Sequence, residues 1–273
     1  MNYNLSPEER FKQKNIICFG VVPGPKKPTD FNSFLYPLVH QFQQLYTGVN
    51  AIDGSRQPEY QHFLLRAFIV AIGADMPAKD MLMGLSGHSA RHYCNYCEAR
   101  GIYSSRFRHM YAPVMPPNPS DPDWRRYDPN GLPIRNHHKS KEYAAHVEAT
   151  EDTEIIQGTG IKSYTPFWDL PSVIFPWSYS IDSMHLFYMN IAQYMRDHWA
   201  NNFSPRLDNQ DEAYHISAAD WTDIDNSIDS NDMAFPLAFG DRPRSIFAIR
   251  KAAEWKTWVK VNHCNLLFQS NSN

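Results

Sequence analysis

Three groups of residues in the sequence have types and spacings suited to chemistry. The run Ala71-Ile72-Gly73-Ala74-Asp75-Met76-Pro77-Ala78 places a carboxylate directly after an apolar stretch. A carboxylate just past the C-terminal end of a central strand is where α/β sheets put catalytic and metal-binding groups, because the strand fixes its position while the loop leaves it accessible. Asp75 is equally suited to capping a helix that begins at Pro77, so both roles stay open. Nineteen residues further on, Cys94-Asn-Tyr-Cys97 has the spacing that lets two thiolates grip one zinc ion from a single turn. A closed tetrahedral site needs two more ligands, and there is no second Cys-x2-Cys. His88, His92 and His109 are near in sequence, and His137, His138, His185 and His263 are farther away. Two unligated thiols are the alternative. In the third group, Asp182 and His185 lie three apart at the start of an amphipathic stretch and would share a helix face. A helix-N-terminal aspartate beside a half-buried histidine accounts for that pair too, and His185 is carried forward as a further zinc-ligand candidate.

These residues need elements to hold them. Residues 15–22 (NIICFGVV) form a β-branched apolar run that stops at Pro23-Gly24-Pro25 and reads as a buried strand ended by a turn. Phe34, Leu35, Leu38 and Phe42 recur at helical spacing and predict a helix over 31–46, capped by Thr29 or Asp30, with Pro37 inside it. The run HFLLRAFIVAIGA (62–74) is too apolar for a half-exposed element and reads as a central strand that delivers Asp75. Pro77 in a first turn predicts a short helix over 77–85 leading to the Cys-x2-Cys segment. Residues 112–138 are dense in Pro, Asn, Asp and Gly and read as a long exposed connection. Helical patterns resume at 139–152, 181–199, 217–230 and 245–262. The chain therefore divides into 1–111 with the Cys-x2-Cys segment, a Pro-rich linker at 112–138, and a mainly helical region at 139–273. The fold class is mixed α/β.

Composition bounds the function. With 42% apolar and 20% charged residues the 273-residue chain can bury a sizeable core, while 20 prolines call for extensive loops. The polar start MNYNLSPEERFKQKN carries no signal region, and no window approaches the roughly 20 apolar residues of a membrane span. A soluble intracellular protein without membrane contact is the expectation. A net charge of −3 gives no global support to nucleic-acid binding, so any DNA contact must be local. Residues 91–111 carry four arginines against one glutamate, and 241–260 six basic groups against two acids; a solvated face explains either run as well. The acidic run at 220–232 lacks the glycine and closing glutamate of a calcium loop and reads as a helix face.

The order of several segments resembles fungal CACTA-type (En/Spm-like) DNA transposases. They are NLSPEERFKQKNIICFGVVPGPKKPTDFNSFLYPLV, a strand ending GADMPA, GLSGHSARHYCNYC, the Asp-Ser-Met-His helix, AFGDRPRSI and AAEWKTWV, spanning about 3–262. The resemblance implies a partial RNase H-like core followed by a loop-rich helical insertion. Its parent activity is metal-dependent cleavage and transfer of DNA strands at transposon ends, in the nucleus. In that chemistry three acidic residues hold two Mg or Mn ions, which stabilise the attacking and leaving oxygens. On the resemblance Asp75 is the second acid, and Cys94 and Cys97 begin a zinc-bearing insertion. DNA is the implied partner, and a homo-oligomer is open.

The sequence departs from that pattern in one respect. The first acid is expected upstream of NLSPEERF and the final glutamate downstream of AAEWKTWV, so this stretch is expected to be inactive alone. An incomplete sheet would also leave residues 15–22 with an open edge, a liability for aggregation. The competing expectation is a non-catalytic zinc-stabilised module that binds DNA or a protein through residues 91–111.

Overall fold

A computed structural model describes residues 1–26, 28–55, 60–203, 214–230, 242 and 244–269, with the backbone alone at 261–269. The side chains of His263 and Cys264, and part of the AFGDRPRSI segment, lie outside the described residues. Two compact units divide the chain, Met1–Ser180 and Ile181–Asn273. Among the described residues the fold is mixed, with helices and two small antiparallel sheets of two strands each, consistent with an incomplete α/β fold.

The first unit opens with a short helix α1 (Pro7–Arg10) and a 3-10 turn at Gln13–Asn15. Residues 15–22, expected as a buried strand, form no ladder among the described residues, and Ile17 and Val21 are 69% and 83% exposed. β-branched composition favours extended backbone, but only a neighbouring ladder turns that preference into a strand. Helix α2 (Asn32–Thr47) forms where the apolar spacing predicts it. It buries Leu35 and Val39, with Leu38 and Phe42 packed beside them, while Phe34 faces solvent. Strands β1 (Val49–Asp53) and β2 (Gln61–Leu65) pair in register Val49↔Leu65 to Asp53↔Gln61.

The central strand expected over 62–74 is thus realised only at its start. All five residues of β2 are exposed, and residues 66–71 form no ladder, although Ala67 N–H donates to the Leu45 carbonyl of α2 at 3.2 Å. What anchors the end of this run is one parallel bridge. Ile72 N–H donates to the Ser178 carbonyl at 2.7 Å, and Ser180 N–H donates to the Ile72 carbonyl at 2.9 Å. Helix α3 (Met76–Leu82) follows immediately, and a second hairpin, β3 (Ile102–Ser104) with β4 (His109–Tyr111), follows the cysteine segment.

Residues 112–136 are irregular apart from a 3-10 turn at Trp124–Arg126 and an antiparallel bridge from Ile134 to Cys97. They are not wholly exposed, however, because Tyr127 and Arg135 are both buried at 4% exposure. Helices α4 (His137–Thr150) and α5 (Thr153–Thr159) come next. Asn136 caps α4 by accepting from Lys139 N–H, and Asp152 caps α5 by accepting from Glu154 and Ile155 N–H.

The core of this unit joins α2, Met83 and Leu85 after α3, Ala144 of α4, and the segment 161–179. Within it Tyr164, Trp168, Phe175 and Tyr179 form a row of edge-to-face rings, with successive centroids 5.6, 5.4 and 6.3 Å apart. Such contacts add about 0.5–1.5 kcal/mol per pair beyond area burial.

The second unit is helical. Residues Met184–Ile191 form a π-helical stretch that runs straight into α6 (Ala192–Trp199), and α7 (Ala218–Ser230) and α8 (Ala252–Gln269) complete it. Its core gathers Trp221, Ile246, Ile249, Trp255 and Trp258, with Tyr188, Trp199 and Ile224 against them. No described helix is long and apolar enough to cross a membrane.

Candidate functional site

Asp75 stands three residues past the Ile72 bridge and is the N-cap of α3. Its backbone is extended (φ −63°, ψ 166°), and its Oδ1 accepts from Ala78 N–H at 2.9 Å. The capping role therefore exists, and the side chain is exposed to solvent. The two residues that matter next are buried on the same helix. Lys79 donates from Nζ to the Ser180 carbonyl at 3.3 Å, and its ammonium lies 5.4 Å from the Tyr96 ring centroid. Asp80 accepts from Asn95 Nδ2 at 2.7 Å, a contact between two buried side chains. Through Asp80 and Asn95 the helix that Asp75 starts is tied directly to the cysteine turn.

That turn is built around one sulfur. The Cys94 Sγ accepts from Tyr96 N–H and from Cys97 N–H, both at 3.4 Å. The Cys97 thiol donates to it, which together with those amides and the charge of Arg135 holds the Cys94 thiol well below its ordinary range. Giving up its own proton would cost Cys97 that bond in a buried site, so its thiol is pushed up. One thiolate stabilised beside one thiol is a nucleophilic, metal-competent arrangement.

The loop that opposes the turn is fixed by a single guanidinium. Arg135 donates from Nε to the Cys94 carbonyl at 3.0 Å, from Nη1 to the Thr159 carbonyl at 2.8 Å and from Nη2 to the His92 carbonyl at 3.4 Å. Backbone bonds flank it, from Arg135 N–H to the Tyr96 carbonyl at 2.9 Å and from Glu98 N–H to the Pro133 carbonyl at 2.8 Å. Burial lowers the Arg135 pKa, although neighbouring Cys94 and Glu98 favour its charge. His92, 4% exposed, is kept neutral: burial first, then the charges of Arg126 and Arg135, pull it down to about 4. Its Nδ1 has no hydrogen-bond partner.

Of the histidines considered as zinc ligands, His88 and His109 are exposed, and His137 Nδ1 accepts from Phe175 N–H at 3.0 Å. His185 belongs to the second unit, where its Nδ1 lies 2.5 Å from Asp182 Oδ2, so the face-sharing of that pair is realised. Among the described residues no three His, Cys, Asp or Glu side chains gather closely enough to hold a metal ion. A closed zinc site takes four ligands, of which this turn offers two sulfurs, and Asp75 offers a single exposed carboxylate. Arg135, Asp80 and Asn95 carry the geometry of this region without having stood out in the sequence. Arg135 is one of three arginines in the Pro-rich stretch, and its partners lie 24 to 43 residues away.

Residues 1–112 match the model of a protein family described as Transposase family tnp2. The matched part includes Asp75, Asp80, Asn95 and both cysteines of the turn. No curated protein and no solved structure matches the chain.

Proposed function

We propose that the chain derives from a CACTA-type DNA transposase of the kind found in fungal genomes, with Asp75 as one carboxylate of a divalent-metal site that acts on DNA in the nucleus. The observation that carries this reading is the similarity of residues 1–112 to the tnp2 transposase family, because that segment contains both Asp75 and the Cys-x2-Cys turn. The geometry supports it in one respect. Asp75 is exposed at the end of an anchored backbone run, held by the Ile72 bridge on one side and by α3 on the other. In this reading the region around Asp75 is an RNase H-like remnant that binds Mg or Mn weakly by itself and needs further carboxylates before it can cut a phosphodiester.

The test is manganese titration calorimetry on the full chain with a nuclease assay on labelled duplex. Weak binding that disappears in Asp75→Ala, without cleavage, is the expected result. Manganese affinity unchanged by the substitution, or no manganese binding by the wild type, overturns the assignment of Asp75. Metal-dependent cleavage by the wild type overturns the inactivity.

The Cys94 thiolate environment favours a second reading, a non-catalytic zinc-stabilised module that binds DNA or a protein. It calls for one zinc per chain by mass spectrometry, lost in Cys94→Ser, without any manganese site at Asp75. Zinc content equal in the two proteins excludes it.

A further inference from the structure

Between the cysteine turn, the end of the Pro-rich segment and the start of α4 lies a cleft of about 30 Å³, lined by His92, Glu98, Arg126, Arg135, Lys139 and Ser140 among others. Its charge is unbalanced. Three cationic side chains face it against the single carboxylate Glu98, which already pairs with Arg126 at 3.3 Å. The N-terminus of the 14-residue helix α4 adds its positive dipole end, since the cap Asn136 and the first-turn residues Lys139 and Ser140 are all in the wall.

An independent feature points the same way. His92 lines the cleft, is 96% buried, and leaves Nδ1 without a partner. A buried, unpaired ring nitrogen is destabilising unless something fills its bond. A group with several acceptor oxygens and negative charge would serve the nitrogen together with Lys139 and Arg135, whereas Arg126 is already paired with Glu98 and, at 3.9 Å, with Asp123.

We propose that this cleft binds one phosphate group. Guanidinium and ammonium donors from Arg126, Arg135 and Lys139 would share its oxygens, with the Ser140 hydroxyl and the His92 ring N–H completing the set. Arg135 has five N–H donors and spends three on carbonyls, which leaves two for a ligand. The volume admits roughly two or three water-sized atoms. That suits phosphate oxygens reaching in from solvent and excludes a nucleobase or sugar. If the transposase-derived reading holds, the phosphate belongs to a DNA backbone; the cleft itself does not depend on that reading.

Thermal unfolding of the full chain in low-millimolar sodium phosphate, where non-specific salting-out is negligible, and in sodium chloride of equal ionic strength tests the site, using wild type, Lys139→Ala and Arg126→Gln. Lys139 is exposed, so its truncation leaves the fold intact. Phosphate is expected to raise the wild-type midpoint and to lose that effect in both variants. Equal midpoints in the two salts for the wild type, or a phosphate effect that survives both substitutions, overturns the proposal. A second arm measures binding of a labelled duplex by anisotropy across a salt series. A DNA phosphate in the cleft makes the slope of log affinity against log salt shallower by about 0.9 in Lys139→Ala. Equal slopes, with the phosphate effect intact, assign the cleft to free phosphate and uphold it. A wild type stabilised by phosphate that binds no duplex upholds the cleft and counts against the DNA-acting reading.

Discussion

Arg135 Nε donates to the carbonyl oxygen of Cys94 at 3.0 Å, across 41 residues of sequence. The same guanidinium also serves the Thr159 and His92 carbonyls, so three separate chain segments meet on one planar fork. Arg135→Leu is expected to destabilise the chain by about 3 kcal/mol or more, since each stranded buried acceptor costs about 1–3 kcal/mol. Arg135→Lys keeps the charge but not the fork and should recover only part of that. Urea unfolding of the three proteins measures the series, and a loss under about 1 kcal/mol in Arg135→Leu would falsify the role.

Asp75 caps α3 and is proposed to hold a divalent metal, and two substitutions separate the observed role from the proposed one. Asp75→Ala should lower stability by about 1 kcal/mol through loss of the cap on α3, while Asp75→Ser retains a capping oxygen and should be nearly neutral. Neither variant should retain the manganese affinity proposed for the wild type. If Asp75→Ser binds manganese as the wild type does, the residue is a cap and nothing more.

Gly84 sits at φ +66°, and a Cβ built there would lie 2.2 Å from the Ser163 carbonyl oxygen. That oxygen is backbone and cannot rotate away. Gly84→Ala is therefore expected to cost more than about 2 kcal/mol, beyond the cost of a left-handed residue alone. A thermal midpoint equal to that of the wild type would contradict the packing of residues 84 and 163.

Buried and exposed apolar residues should respond very differently to truncation. Phe175 is 1% exposed between Trp168 and Tyr179, and Phe175→Ala is expected to cost about 3–5 kcal/mol. Val21 is 83% exposed, and Val21→Ala should stay within about 0.5 kcal/mol. Comparable losses at the two positions would mean that residues 16–22 are covered in solution.

Asp152 supplies a pH signature. The Ile155 amide, then that of Glu154, donates to its carboxylate and lowers its pKa below the ordinary 3.8. A carboxylate whose folded pKa is depressed contributes stability that is present above its unfolded value and is lost as pH falls through the folded one. Below about pH 4 the wild type should therefore lose stability more steeply than Asp152→Asn, whose amide oxygen caps without titrating. Parallel pH profiles for the two proteins would show that the cap carries no charge effect.

Legibility in the sequence followed the locality of the forces. Helix α2 was readable because its burial comes from one stripe, and Leu35 and Leu38 stand where that stripe predicts. The cap at Asp75 was readable because all its partners lie within four residues. The strand readings of 15–22 and 62–74 failed because apolar, β-branched composition records a preference while a ladder needs a neighbour that the sequence does not name. The hairpin β3–β4 escaped notice because its turn uses Arg108 at φ +51° where glycine or asparagine would have marked it. Nothing local marked Arg135, whose importance comes from carbonyls brought together only by the fold.

The row of rings from Tyr164 through Trp168 and Phe175 to Tyr179 makes the first unit its own optical gauge. Light absorbed by either tyrosine can pass to the Trp168 indole, which is buried beyond the reach of a dissolved quencher, whereas Trp124 and Trp177 are open to it. The second unit also buries Trp221, Trp255 and Trp258, so it is the part of the acrylamide-resistant, tyrosine-excited emission lost in Trp168→Phe that reports whether residues 164–179 are packed, without any added label.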